Sequence, residues 1–504
     1  MRLPRRSGLL LHPTSLPGRF ACGDLGSESH AFVEFLAAAG QSLWQVLPLG
    51  PTGFGDSPYQ SFSAFAGNPL LVSAERLADD GLLSRHDLDL LPARRHAGCD
   101  FGRAVAGAAR IAERIAERLP AHPLASEFEE FRARTPWLAD YALFMALREA
   151  HDGQEWNTWS PSVRDRDPGA LAEARRAQRS RVRVHEVMQW AFARQWQALR
   201  AHAHARGIVL LGDAPIFVAF DSADVWAAPE LFQLDRAGRP TVVAGVPPDY
   251  FSATGQLWGN PLYRWDAHAA DDYAWWRARL AAVTASVDLV RLDHFIGFVR
   301  YWAVPPGSAD ARPGSWQPGP GAELFHALER ALGGLPLVAE DLGETGADVE
   351  ALRDGLALPG MRVLQFAFGG DDRNPFLPRH HVPNCVVYTG THDNDTTCGW
   401  WATREERERR FVRDVIGSGS GTGPGLDSGD IAWDLMAAGA ASVADTFIAP
   451  VQDVLSLGSE ARLNTPGLAS GNWTWRLGEG ALGPAHGARL HALAAAHGRD
   501  PAPR

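Results

Sequence analysis

The sequence predicts an α/β fold, a (β/α)8 TIM barrel with large, mostly helical insertions between barrel strands. Three observations lead there. Short apolar runs recur whose last residues are ionisable: GIVLLGDAPIF (Gly207 to Phe217), VDLVRLDHFIGF (Val287 to Phe298), LPLVAEDLG (Leu335 to Gly343) and CVVYTGTHDND (Cys385 to Asp395). A buried parallel strand reads as an apolar run. It has reason to finish in charge where its carboxyl end opens on a pocket, as barrel strands do. The carboxylates are spaced 80 residues from Asp213 to Asp293, 47 on to Glu340 and 53 on to Asp393. A strand-helix unit takes about 30 residues, so each interval holds one or two units plus loop. Finally, 504 residues exceed one simple core, and a barrel of about 250 residues with insertions accounts for the excess.

Taken in order, Gly8 to Gly18 reads as a first strand and its turn, and Ser42 to Leu49 as a second strand. The loop from Gly53 to Phe65 offers Asp56, Ser57, Tyr59 and Gln60, either a rigid Gly/Pro turn or a polar-aromatic surface for sugar hydroxyls and ring faces. Residues 75–206 form a mostly helical insertion, with Ala104 to Leu119 at helical spacing. The arginine-rich stretch from Glu173 to Arg194 reads as a solvated helix face. Residues 221–275 form an insertion carrying PPDYFSATGQLWGNP, whose aromatics either pack into a core or line a mobile lid. Pro305 to Gly321 reads as a Pro/Gly connector, residues 395–440 as a helix/loop insertion, and Gly417 to Gly429 as a surface loop. Gly360 to Phe368 and Ser442 to Leu455 supply further strand regions. All of this belongs to one catalytic unit spanning residues 1–504.

Composition excludes several functions. All 48 basic residues are arginine, which removes lysine Schiff-base chemistry and a Walker lysine. A net charge of −11 argues against nucleic acid as a partner. Four cysteines without CxxC spacing read as free thiols of a reducing cytosol. The apolar run Leu9 to Leu11 is too short for a signal peptide, and no stretch approaches a membrane span, so the expected location is cytoplasmic.

The chemistry starts at Arg291 and Asp293. Two residues apart on a strand, they point the same way, and a guanidinium beside a carboxylate favours the ionised form. That pair is either a nucleophile in the making or a salt bridge that fixes a loop; recurrence of the pattern on four strands favours a site. RLDHF, AEDLG and THDND resemble the active-site strands of the α-amylase clan of retaining glycosidases and transglycosidases. GLLLHPTSLPG, GFGDSPYQSFSAFAGNPLL, GDAPIFVAFDSADVW, PPDYFSATGQLWGNPLY, YTGTHDNDT and SEARLNTPG together resemble the 4-α-glucanotransferases (amylomaltases, disproportionating enzymes) of glycoside hydrolase family 77.

The resemblance implies retaining transfer of an α-1,4-glucan segment from a maltooligosaccharide donor to the 4-hydroxyl of glucose or another glucan. Asp293 is then the nucleophile. Glu340, with no basic residue beside it in sequence, is the acid/base and needs a raised pKa. Asp393, with His392, holds ring hydroxyls in the distorted sugar. Asp213 is expected to bond Arg291, with His294 in support. The resemblance also places Asp56, Ser57, Tyr59, Asp249, Tyr250, Phe251, Gly255, Trp258, Asn464 and Pro466 along the bound glucan. Phe217 and Val218 stand where many amylases carry Asn-His, so that histidine contact is not expected. No cofactor and no metal are expected, the structural calcium of many amylases included, and the expected state is a monomer or weak homo-oligomer. Three readings compete: an α-glucan hydrolase on the same barrel, a metal-dependent barrel enzyme using His392, Asp393, Asp395 and Asp293, and a noncatalytic carbohydrate-binding protein. No His-Glu-x-x-His spacing supports the second.

Overall fold

The structure, a computed structural model, describes residues 3–94, 97–248, 252–343, 346–418 and 429–501. Its strands are β1 (Arg6–Leu10), β2 (Leu43–Gln45), β3 (Val209–Pro215), β4 (Val243–Val246), β5 (Gln256–Pro261) and β6 (Leu289–Asp293). They continue with β7 (Arg300–Val304), β8 (Ser315–Pro318), β9 (Leu337–Ala339), β10 (Gly360–Val363), β11 (Cys385–Tyr388) and β12 (Thr446–Pro450). Eight of them form a sheet in the order β10-β11-β12-β1-β2-β3-β6-β9, every pair parallel. Chain order and spatial order agree around the ring. The open seam between β9 and β10 is nearly closed, with Ala339 N donating to Pro359 O at 2.9 Å and Met361 N to the buried Asp341 carboxylate at 2.6 Å. This is the predicted barrel.

Strand alternation builds the interior in layers. Leu43, Leu211, Leu289, Val338, Met361 and Ile448 pack together inside the ring. Two residues further along the same faces come Gln45, Asp213 and Arg291, followed on β6 by Asp293. The barrel is therefore apolar below and charged at its carboxyl mouth. The alternate residues Leu210, Val290 and Leu292 face outward into the larger core shared with the helices.

Between β2 and β3 run the helices Phe101–Arg118, Ala125–Arg134, Leu138–Ala150 and Arg179–Ala205, among others. Asp100 caps the first, accepting from Arg103 N at 3.1 Å. Three arginines of the last helix meet carboxylates of neighbouring segments: Arg181 with Glu149 at 2.7 Å, Arg183 with Glu129 at 3.0 Å and Arg194 with Asp80 at 2.5 Å. They are half-buried rungs of helix packing, not a free basic surface.

Three expectations need correction. The connector from Pro305 to Gly321 contains β8, antiparallel to β7. The long insertion after Asp221 likewise contains β4 and β5, which extend β7 and β8 into a four-stranded sheet. These strands are short and Gly/Pro-flanked, so their periodicity is invisible until the partner strand supplies the hydrogen bonds. The third correction concerns the cysteines. Cys22 and Cys99 form a disulfide, leaving Cys385 and Cys398 as the free thiols. Their separation of 77 residues hides the pairing. A Phe20–Ala93 bridge and the bond from Asp100 N to Ala21 O at 3.0 Å bring the two segments together. Closing so long a loop restricts the unfolded chain. Reduction, or the Cys22→Ser/Cys99→Ser variant, is expected to lower unfolding free energy by about 2–4 kcal/mol, measured as the denaturant midpoint with and without a dithiol. An unchanged midpoint would refute the link. Of the surface loop at Gly417 to Gly429, residues 419–428 lie outside the described residues.

Candidate active site

The mouth of the barrel is organised by Arg291. In parallel register Asp213 on β3 lies beside Arg291 on β6, so both side chains point inward at the same level. Arg291 Nη1 donates to Asp213 Oδ2 at 2.7 Å, and Nη2 meets Asp293 Oδ1 at 2.8 Å. One guanidinium thus serves two carboxylates in a fork only arginine provides. Burial disfavours its charge, but Asp213 and Asp293 more than offset this and keep its pKa well above the ordinary value. Burial raises the pKa of Asp213, against the opposing pull of Arg291. The same Asp213 oxygen accepts from Tyr59 Oη at 2.8 Å.

Glu340 follows β9, the neighbour of β6, and stands beside this network. Its Oε2 accepts from His294 N at 2.8 Å and its Oε1 from Leu342 N at 3.0 Å. Burial pushes its pKa up to about 8, and the Asp293 charge adds to the rise, while Arg291 opposes it. At neutral pH the group holds its proton. His294 takes a left-handed backbone conformation with φ of 54°, which turns its N–H toward Glu340. Its ring stands edge-on to Trp258 at 4.7 Å, and burial lowers its pKa to about 4. Its support of the site comes through the backbone, and the ring is neutral.

Across the mouth, β11 leads to His392 and Asp393. Asp393 Oδ1 accepts from Asn464 Nδ2 at 2.6 Å, and its Oδ2 lies 3.3 Å from His392 Nε2. Burial raises its pKa, but His392, Asn464 and Arg291 outweigh burial and bring it down to about 2. His392 stacks on Tyr59 with ring centres 5.1 Å apart and planes 15° apart, and Trp473 leans on both rings.

The structure thus brings together Tyr59, Asp213, Arg291, Asp293, His294, Glu340, His392, Asp393 and Asn464, with Trp258 beside His294. Asn464, expected to face the glucan, spends an amide hydrogen on Asp393. Ser57 accepts from Tyr59 N at 3.2 Å and so shapes the turn before that ring. Asp56 is exposed in a left-handed conformation, and Pro466 lies exposed on the turn after Asn464. Gly255 has φ of 68°, and a side chain there would collide with Val246 O, so only glycine fits. Asp249, Tyr250 and Phe251 lie outside the described residues.

Sequence reasoning missed His12 and Trp473. His12 follows β1, is buried, and burial together with the nearby His392 lowers its pKa to about 3. The HPTS turn was its only signal, and Trp473 stands in an otherwise small and polar SGNWT run. Among the described residues no three His, Cys, Asp or Glu side chains converge to hold a metal. Asp395, offered by the metal reading, accepts from Ser459 Oγ at 2.7 Å and from Thr396 N at 2.8 Å. No helix among the described residues is long and apolar enough to cross a membrane.

A barrel mouth that sets a protonated carboxyl near an arginine-paired aspartate, between aromatic rings, suits an enzyme that works on glycosidic bonds. Comparison with known proteins narrows that class. Residues 11–480 match the profile of the 4-alpha-glucanotransferase family, glycoside hydrolase family 77, and the chain belongs to that family. The 4-alpha-glucanotransferase of Thermus thermophilus is 51% identical over 503 residues, covering 98% of this chain and 99% of that one. That of a Synechocystis strain is 49% identical, covering 94% of each. Among solved structures, the amylomaltase of Streptococcus agalactiae in complex with acarbose superposes with a TM-score of 0.94 at 36% identity, covering 99% of this chain and 100% of that chain. The amylomaltase of Corynebacterium glutamicum shares the fold, with a TM-score of 0.76 at 18% identity over 98% of this chain and 75% of that one.

Proposed function

We propose that this enzyme is a retaining 4-α-glucanotransferase acting through a glycosyl-aspartate. Asp293 attacks the anomeric carbon of the donor glucan. Glu340 gives its proton to the departing 4-oxygen as the glycosidic bond breaks, and the shortened glucan leaves. The acceptor's 4-hydroxyl then loses its proton to Glu340 and attacks the same carbon, so Asp293 is released and Glu340 is reset. Two inversions give net retention. Asp393 receives ring hydroxyls and favours the flattened, oxocarbenium-like sugar. Tyr59, Trp258 and His392 form the walls along which the sugars lie.

The observation that carries this reading is the contrast at one barrel mouth. Glu340 is held protonated by burial, with a pKa of about 8, while Asp293 beside it is ion-paired to Arg291 at 2.8 Å. An acid and a nucleophile need that difference. Membership of the family and the acarbose complex of its structural relative support the choice of α-1,4-glucans and maltooligosaccharides; glucose is the acceptor proposed beside them. The aromatic walls favour transfer over hydrolysis by seating the acceptor and restraining water. A cytoplasmic location, in which the Cys22–Cys99 disulfide is an exception to the usual reduced thiols, and a monomer or weak homo-oligomer complete the proposal.

Incubation with maltotriose alone tests it. The expected products are glucose and a ladder of longer α-1,4-glucans at constant reducing-end concentration. Only glucose and maltose, with reducing ends rising throughout, would make the enzyme a hydrolase.

A further inference from the structure

The loop from Thr389 to Thr397 carries His392 and Asp393; Asn394 Oδ1 folds it from within, accepting from Thr391 N and Oγ1 at 2.9 Å each, and its ends are fixed from outside. Asp453, just after β12 and 1% exposed, closes both of its ends. Its Oδ2 accepts from Thr389 Oγ1 at 2.5 Å and from Thr397 Oγ1 at 2.8 Å, while its Oδ1 accepts from Thr397 N at 2.7 Å. Further along the same segment, Arg462 donates Nη2 to Asp393 O at 2.7 Å and Nε to Asn464 O at 2.8 Å. The second bond fixes the backbone from which Asn464 Nδ2 reaches Asp393 Oδ1 at 2.6 Å. Ser459 adds a bond to Asp395 between these two anchors.

We propose that Asp453 and Arg462 are positioning residues for Asp393. They lock the exit of β12 against the exit of β11, so that one oxygen of Asp393 is taken by Asn464 and the carboxylate keeps a fixed direction toward the sugar. Neither is assigned a substrate contact. The inference rests on the role of Asp393 proposed above. It explains why Arg462 directs its guanidinium at two carbonyl oxygens: a planar fork sets the angle between two backbones, which a point charge does not. Misplacing a reacting or binding group by about 1 Å costs up to about 100-fold in rate.

Steady-state transfer from maltotriose tests this with Arg462→Lys, Asp453→Ala, Asp453→Asn, Asp393→Asn and the Arg462→Lys/Asp393→Asn double variant. Arg462→Lys is expected to lower kcat about 10- to 100-fold with a much smaller change in KM. Asp453→Ala should do likewise, whereas Asp453→Asn, which keeps an acceptor for Thr397 N and can donate to both threonine hydroxyls, should retain most activity. In the double variant the Arg462 loss should shrink to within about threefold of Asp393→Asn alone, because the two act through one group. Full activity of Arg462→Lys would overturn the proposal, as would losses that multiply in the double variant. If Asp453→Ala does not fold, as judged by its melting transition, the Arg462 cycle decides alone. Should Asp393→Asn itself work normally, the assignment of Asp393 fails and takes this inference with it. A crippled Asp393→Asn with multiplying losses fails the positioning inference only.

Discussion

Asp293→Asn is expected to lower kcat for glucan transfer by about four orders of magnitude while leaving the protein folded. The amide keeps the shape and a hydrogen-bonding oxygen toward Arg291 but is a poor nucleophile at the anomeric carbon. Losing four decades corresponds to about 5 kcal/mol of transition-state stabilisation. Folding should survive because Arg291, though buried, keeps its bond to Asp213 at 2.7 Å, so no buried charge is left without a partner. Rapid quenching of the parent enzyme with a donor should trap a sugar ester on Asp293, and the variant should trap none. Activity within tenfold of the parent, or an ester on another residue, would remove Asp293 from the nucleophile's role.

Glu340→Gln should lower kcat for maltotriose by about three orders of magnitude, the range of a lost general acid with its attendant positioning. The deficit should narrow for a donor such as an α-glucosyl fluoride, whose leaving group needs little protonation. The pH dependence carries the sharper test. Burial raises the pKa of Glu340 to about 8, so the acid form is present below that value and kcat should fall as pH rises through it. The variant, with nothing to titrate there, should lose that limb. Stability follows the same sign. Between the ordinary pKa of a glutamate, about 4.5, and about 8 the folded protein keeps a proton that the unfolded chain has released. Stability contributed by the protonated group is complete below that range and is lost as pH rises through it. The melting temperature of the parent should therefore fall relative to that of Glu340→Gln as pH rises from about 4.5 to about 8. A parent whose kcat keeps rising from pH 7 to 9 would contradict the assignment.

How far the site could be read in advance depended on distance along the chain. Asp293 and Arg291 are two residues apart, so the pleat alone aims them together. Glu340, His392 and Asp393 announced themselves as charge at the end of apolar runs. Asn464 also bonds Asp393, 71 residues away, a pairing that no local pattern shows. Trp473 carries no recognisable signal, because two aromatics in a loop, Trp473 and Trp475, do not make an element's periodicity. The Cys22–Cys99 link and strand β8 were misread for a related reason: each exists only once a distant segment arrives beside it.

What the amino-acid sequence determined by itself was the barrel and the level at which its charges sit. Alternation along each strand separates an inner from an outer face, and the order of apolar then ionisable residues places charge at one mouth. The tertiary structure alone decided which of those charges would be paired and which would keep a proton. Hydrogen bonds and Coulomb interactions change over an ångström or two and with the exclusion of water. Asp293 is thus met by Arg291, while Glu340, one strand over, keeps its proton because burial outweighs the two backbone N–H groups that favour its charge.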